Sequence, residues 1–212
     1  MAKGPFHFLS LVFHILFILS LSGCEFARSV TVENLTDLSI DIHDGYDYRG
    51  NVEPKTTKKI ENVIWSTQNP ENLIPVIGRT NNEIVFFLGI SWRELEKRKW
   101  HITIYPEDKE KAERLLNAYA RTFVKVLDLG DQEYYALLHY LGGLQNVVEE
   151  IKTLFVEGKL SGEVLVQYER YLKGEQTYDD FDKWFWEFGG DFFSEAMVFS
   201  KMTFPENWEE NY

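Results

Sequence analysis

The chain has 212 residues, of which 44% are hydrophobic, 16% aromatic and 26% charged. That composition excludes wholesale disorder and allows one domain, or two small ones, around a substantial core. One cysteine excludes an intrachain disulfide framework and a multi-cysteine zinc site, and a net charge of −12 at pH 7 argues against a nucleic-acid partner.

The first segment reads MAKGPFHFLSLVFHILFILSLSGC. Lys3 and the amino terminus are cationic, and Phe6 to Leu21 is a nearly unbroken apolar run of 16 residues. A membrane-spanning helix needs about 20, so the run suits the apolar part of a signal peptide. Leu21-Ser22-Gly23-Cys24 resembles the lipobox of bacterial lipoprotein signal peptides. The resemblance covers residues 1–24 only. It implies a diacylglyceryl thioether on Cys24, cleavage between Gly23 and Cys24, and anchoring by two or three acyl chains, where one chain is marginal. Glu25 follows the cysteine in place of the aspartate that resembles an inner-membrane retention signal, which favours the outer membrane or the cell surface. The expectation is residues 1–23 as signal peptide and a cell-envelope chain from Cys24, with 21 basic and 34 acidic side chains.

Residues 24–105 read as a β-rich domain. Ser29–Glu33 and Leu38–His43 alternate with period two, and Asn34–Asp37 supplies turn residues between them. Asp44–Asn51 reads as a longer turn. Pro54–Ile60, with its lysines, suits an edge strand. Glu83–Leu88 and Trp100–Tyr105 are further strands, and Ser91–Arg98 between them suits one or two helical turns. Short strands at this spacing predict a small antiparallel sandwich.

Residues 106–212 read as an acidic α-helical region carrying 22 acidic and 11 basic side chains. Pro106 suits a first helical position. The apolar spacing from Ala112 to Leu127 predicts one helix, ended by Gly130. Asp131 is placed to cap a second, running to about Glu157 with a soft point at Gly142-Gly143. Ser161 caps a third, and Thr177–Asp180 opens a fourth in the manner of a capping box. The tail from Pro205 reads as loose. The fold class expected is therefore α+β, a sandwich-like half followed by a four-helix region.

Within the last helix Phe181, Trp184, Phe185, Phe188 and Phe192 share one face, while Trp186 and Phe193 lie off it. A helix apolar nearly all round is buried centrally or offers a second face. Trp184, Trp186, Phe188 and Phe193 are therefore the candidate partner surface. Ile151–Leu172 loosely resembles the short helix-turn-helix modules that close some bacterial proteins, which implies at most an oligomerisation role.

Other constellations carry bland readings. Asp41, His43, Asp44 and Asp47 hold metal-ligand atoms but lack EF-hand spacing, so a solvated hairpin turn is the better reading. Asp179, Asp180, Asp182 and Glu187 could pair as glycosidase acids, yet such pairs also line solvated helix faces. His43, His101 and His139 sit in no catalytic motif. Arg93, Lys97, Arg98 and Lys99, flanked by Trp92 and Trp100, are interleaved with Glu94 and Glu96. They suit lipid headgroups or the acidic half of another copy better than nucleic acid. No metal and no cofactor are expected. The role expected first is a non-catalytic protein-interaction or scaffolding module held on the membrane by its lipid, with an envelope protein as partner. Small-ligand or glycan binding beside Trp65 or Trp92 is the alternative, and hydrolysis a second one.

Overall fold

The computed structural model describes residues 27–45, 47–64, 71–144, 146–199 and 202–210. Segment 1–23, Cys24 and Trp65 lie outside these residues. Seven strands come first: β1 (Ala27–Asn34), β2 (Ile40–Asp44), β3 (Asp47–Val52), β4 (Thr56–Ile64), β5 (Ile74–Thr80), β6 (Glu83–Ile90) and β7 (His101–Ile104). A short helix α1 (Trp92–Lys97) precedes β7. Then follow α2 (Asp108–Val126), α3 (Asp131–Tyr140), α4 (Val147–Val156), α5 (Gly162–Leu172), α6 (Tyr178–Phe199) and a 3-10 turn, Trp208–Glu210. The class is α+β.

The strands form two sheets. One has the order β4-β1-β7, with β1 parallel to β7 and antiparallel to β4. The other has the order β3-β2-β5-β6 and is antiparallel throughout. Period-two alternation sends Val30, Val32, Ile60, Ile102 and Ile104 from the first sheet against Ile40, Ile42, Val52, Val76 and Phe86 from the second. These residues, with Leu95 of α1, fill the sandwich core.

The outer face of the second sheet is apolar only on β5 and β6. Ile77 and Phe87 there pack under Leu116, Tyr119 and Phe123 of α2, with Leu137 of α3 and Phe193 of α6. Helices thus lie directly on the sheet. A third cluster joins Ala136 of α3, Val147, Ile151 and Leu154 of α4, Val164 and Tyr168 of α5, and Phe181 and Phe185 of α6. The α4–α5 pair is the 151–172 segment, turned at Gly158.

Several elements differ from sequence expectation. β3 lies where a turn was expected, because Asp47–Val52 has almost no apolar alternation and is recruited by pairing with β2. β5 has no sequence counterpart; Pro75 and Gly78 disguise it, although both sit in register with β6. The second expected helix is two, α3 and α4, parted after the Gly142-Gly143 step. Gly130, not Asp131, is the N-cap of α3, and its N–H donates to Glu133. The tail is held, since Trp208 is 6% exposed and packs on Phe87 and Tyr119.

Gly189 marks the closest approach of α3 and α6. A Cβ there would collide with the Ala136 carbonyl oxygen. Gly189→Ala is expected to destabilise the fold by about 2 kcal/mol by forcing the helices apart, measured by urea denaturation.

Candidate binding cleft on the four-stranded sheet

The helical layer covers β5 and β6 and leaves the outer face of β2 and β3 open. On that open half the sequence is polar. The Asn51 side chain donates to Asp41 at 2.9 Å and to Ser39 at 2.8 Å. His43 meets Tyr48 edge-on, with ring centroids 5.7 Å apart, and Tyr48 is 59% exposed.

Arg79 builds the wall of this shelf. It pairs with Asp41 in the β2–β5 register and so lies on the same face. Its guanidinium donates to the carbonyl oxygens of Leu141 and Gly142 at the end of α3. A cation there is favourable, because the last carbonyls of a helix carry partial negative charge and lack intrahelical donors. Gly142 has φ +68°, and a Cβ at that position would collide with the guanidinium. The sequence signal at Gly142-Gly143 is thus both a helix stop and the seat of Arg79. Together Asp41, His43, Asp47, Tyr48, Arg79, Asn82 and Gly142 enclose an open cleft of about 820 Å³. Within the sandwich itself, a void of about 10 Å³ lined by Val30, Ile42 and Ile102 has room for at most one water.

The Asp44–Asp47 turn is closed by its own cation. Arg49 donates to Asp44 at 2.6 Å and to Asp47 at 3.0 Å. Asp44 is nearly buried, and its carboxyl is pushed up to about 6 by desolvation, which outweighs the opposing pull of Arg49. Asp41 and His43 face the cleft with Asp47, while Asp44 borders the internal void. His43 borders both the cleft and the void, and Asp44 and Asp47, opposite each other in the β2–β3 register, are spanned by Arg49, so the four residues read from the sequence as a loop do not converge on one point. No group of three or more metal-ligand side chains occurs among the described residues.

The remaining candidates have structural partners. On α6, Trp184 stacks on Phe188 at 5.5 Å and both are half-buried. Trp186 is half-buried against Tyr140. Phe193 is a correction to the expected partner surface: it is 8% exposed, packed on Phe123 and Tyr140. The buried stripe runs through Phe181, Phe185, Gly189 and Phe193, a fourfold spacing, because Gly189 draws α6 onto α3 along that line. Asp180 caps α6 through Thr177, and those hydrogen bonds lower its pKa. Asp182 pairs with His139 at 3.3 Å and Glu187 lies 3.9 Å from Lys183. His101 meets Glu33 at 3.3 Å. His43, His101 and His139 thus have separate partners and do not meet. No helix among the described residues is long and apolar enough to cross a membrane. Comparison with protein-family profiles, with curated proteins and with solved structures gave no match.

The Asp44 carboxyl gives a pH test. An acid whose folded pKa exceeds its unfolded value binds extra protons when native, so its stabilising contribution is complete at low pH and is lost as pH rises through the folded value. A rise from 3.8 to about 6 corresponds to about 3 kcal/mol. The stability of the native chain relative to Asp44→Asn is expected to fall by about that amount between about pH 3 and pH 7. Urea denaturation across that range checks it. A carbon-13 titration of the Asp44 carboxyl centred near 4 contradicts it.

Proposed function

We propose that this chain is a bacterial envelope lipoprotein, anchored through acyl chains on Cys24, that binds an envelope protein in the cleft over β2 and β3 without catalysis. The observation that carries the reading is the uncovered polar half of a sheet whose other half is sealed by helices. Its floor offers hydrogen-bonding groups from Asp41, Asn51 and His43, and its rim an exposed phenol. An exposed tyrosine beside polar acceptors is a low-entropy anchor for a partner segment. Anchoring confines the protein to a surface and raises its effective concentration for membrane neighbours. The half-buried Trp184–Phe188 edge of α6 is a second, more apolar contact on the same molecule.

A second reading has one observation in its favour. A cleft of about 820 Å³ with an aromatic rim and clustered polar groups also fits a small polar ligand such as a glycan.

Cross-linking in native envelopes separates the two. Tyr48→Ser with Asp41→Ala is expected to reduce recovery of a reproducible cross-linked partner by about tenfold, as for loss of a hot spot. Unchanged recovery sinks the first reading; a glycan that shifts the protein's fluorescence and protects Tyr48 from iodination supports the second. Anchoring is checked separately. The intact mass of the envelope form is expected to begin at Cys24 and carry acyl chains, and Cys24→Ser is expected to abolish acylation.

A further inference from the structure

We infer that the end of the sandwich formed by α1 and the start of β7 is the face that rests on anionic lipid headgroups. The inference rests on the anchor at Cys24 and adds the orientation of the domain on the bilayer. Two residues, Glu25 and Phe26, separate Cys24 from Ala27, where β1 begins, so the span is three residue steps. A chain spans at most about 3.5 Å per residue, so the anchor holds the start of β1 within about 10 Å of the headgroups.

The parallel pairing of β1 with β7 decides what else lies at that end. Thr31 pairs with His101, and the Thr31 N–H donates to the Trp100 carbonyl at 2.8 Å. Trp100 therefore sits level with Val30, about 10 Å along the strand from Ala27, with Lys99 just before it. Helix α1, immediately before them, brings Arg93, Lys97 and Arg98. The four cations are exposed.

The support beneath them is rigid. Leu95 is fully buried in the sandwich core and holds α1 to it. Lys99 and Trp100 both adopt left-handed backbone, φ +53° and +62°. That turn is held by N–H bonds from Lys99 to the Glu96 carbonyl and from Trp100 to the Leu95 carbonyl, at 3.0 and 2.8 Å. Trp100 meets Trp92 edge-on at 4.7 Å. Tryptophan beside cations is the pairing that suits a membrane–water interface.

Charge points the same way. Arg93 pairs with Glu71, and Lys97 and Arg98 share Glu94. Lys99 has no ion pair among the described residues. Residues 91–100 carry four cations and two acids in a chain that is otherwise strongly acidic. An anionic surface repels the body of the protein and attracts this end, over a range of about 8–10 Å at physiological salt.

The test is lysine footprinting by mass spectrometry on the chain from Cys24 onward, coupled through the Cys24 thiol to a maleimide phospholipid. Coupling in vitro makes the outcome independent of acylation in the cell, which the intact mass reports. Vesicles of phosphatidylcholine alone are compared with vesicles holding about a quarter phosphatidylglycerol. Acetylation of Lys97 and Lys99 is expected to slow by about threefold or more on the anionic vesicles and to recover in high salt. Lys109 and Lys125 are expected to react alike on both. Arg93→Gln with Arg98→Gln is expected to remove the difference. Equal rates for Lys97 and Lys99 on the two surfaces, or protection of Lys109 or Lys125 instead, overturns the inference.

Discussion

Val76 and Ile77 are neighbours in β5, yet they point into different cores. Val76 faces the other sheet across the sandwich, and Ile77 faces the helices. Phe86 and Phe87 of β6 repeat the arrangement. A strand pair buried on both faces must have apolar side chains on both, and the helical layer must lie over it, since Ile77 and Phe87 cannot be left to water. This double burial joins the β-rich and helical halves of the chain. It also explains why the C-terminal tail is ordered. Trp208 closes the last gap over Gly89 and Phe87, where a larger residue at Gly89 would meet its indole at 3.1 Å.

The cleft is the remainder of that arrangement. The helices cover as much of the sheet as is apolar and stop where its face becomes polar. Arg79 stands at the boundary, with its backbone in β5 and its guanidinium on the last carbonyls of α3. One interaction thus caps a helix, ties the helical layer to the sheet and forms the cleft wall. Gly142 permits it by leaving space that a side chain would fill.

Electrostatics follow the same division. Several acidic residues of the helical half are engaged locally: Asp180 in a cap, Asp182 with His139, Asp131 with Arg121. In the β-rich half, Asp44 is also paired, with Arg49, yet the pKa of its carboxyl is raised. Its position beside the internal void makes the charged form costly despite Arg49. The exposed cations of and after α1 lie beside the middle of β1.

The sequence by itself determined the elements whose signals are local. Period-two alternation marked β1, β2 and β7, and Glu83–Leu88 read as a further strand; lysines marked β4 as an edge; Thr177 and Asp180 marked the start of α6; Gly142-Gly143 marked a soft point in what read as one helix. Leu21, Ser22, Gly23 and Cys24 carry the proposed anchor in four consecutive positions and need no fold to be read. Only the tertiary structure decided β3 and β5, because Asp47–Val52 lacks an apolar pattern and Pro75 and Gly78 interrupt one. These segments become strands through the partners they pair with. Tertiary structure also buried Phe193, whose helical spacing pointed away from the stripe, because Gly189 sets where α6 touches α3. The cleft was equally hidden. Asp41, Tyr48, Arg79 and Gly142 are separated by up to about a hundred residues, and strand register with a helix end brings them together. Local spacing encodes local geometry, whereas a site assembled across β2, β3, β5 and α3 exists only once the sheet is paired and the helices are seated on it.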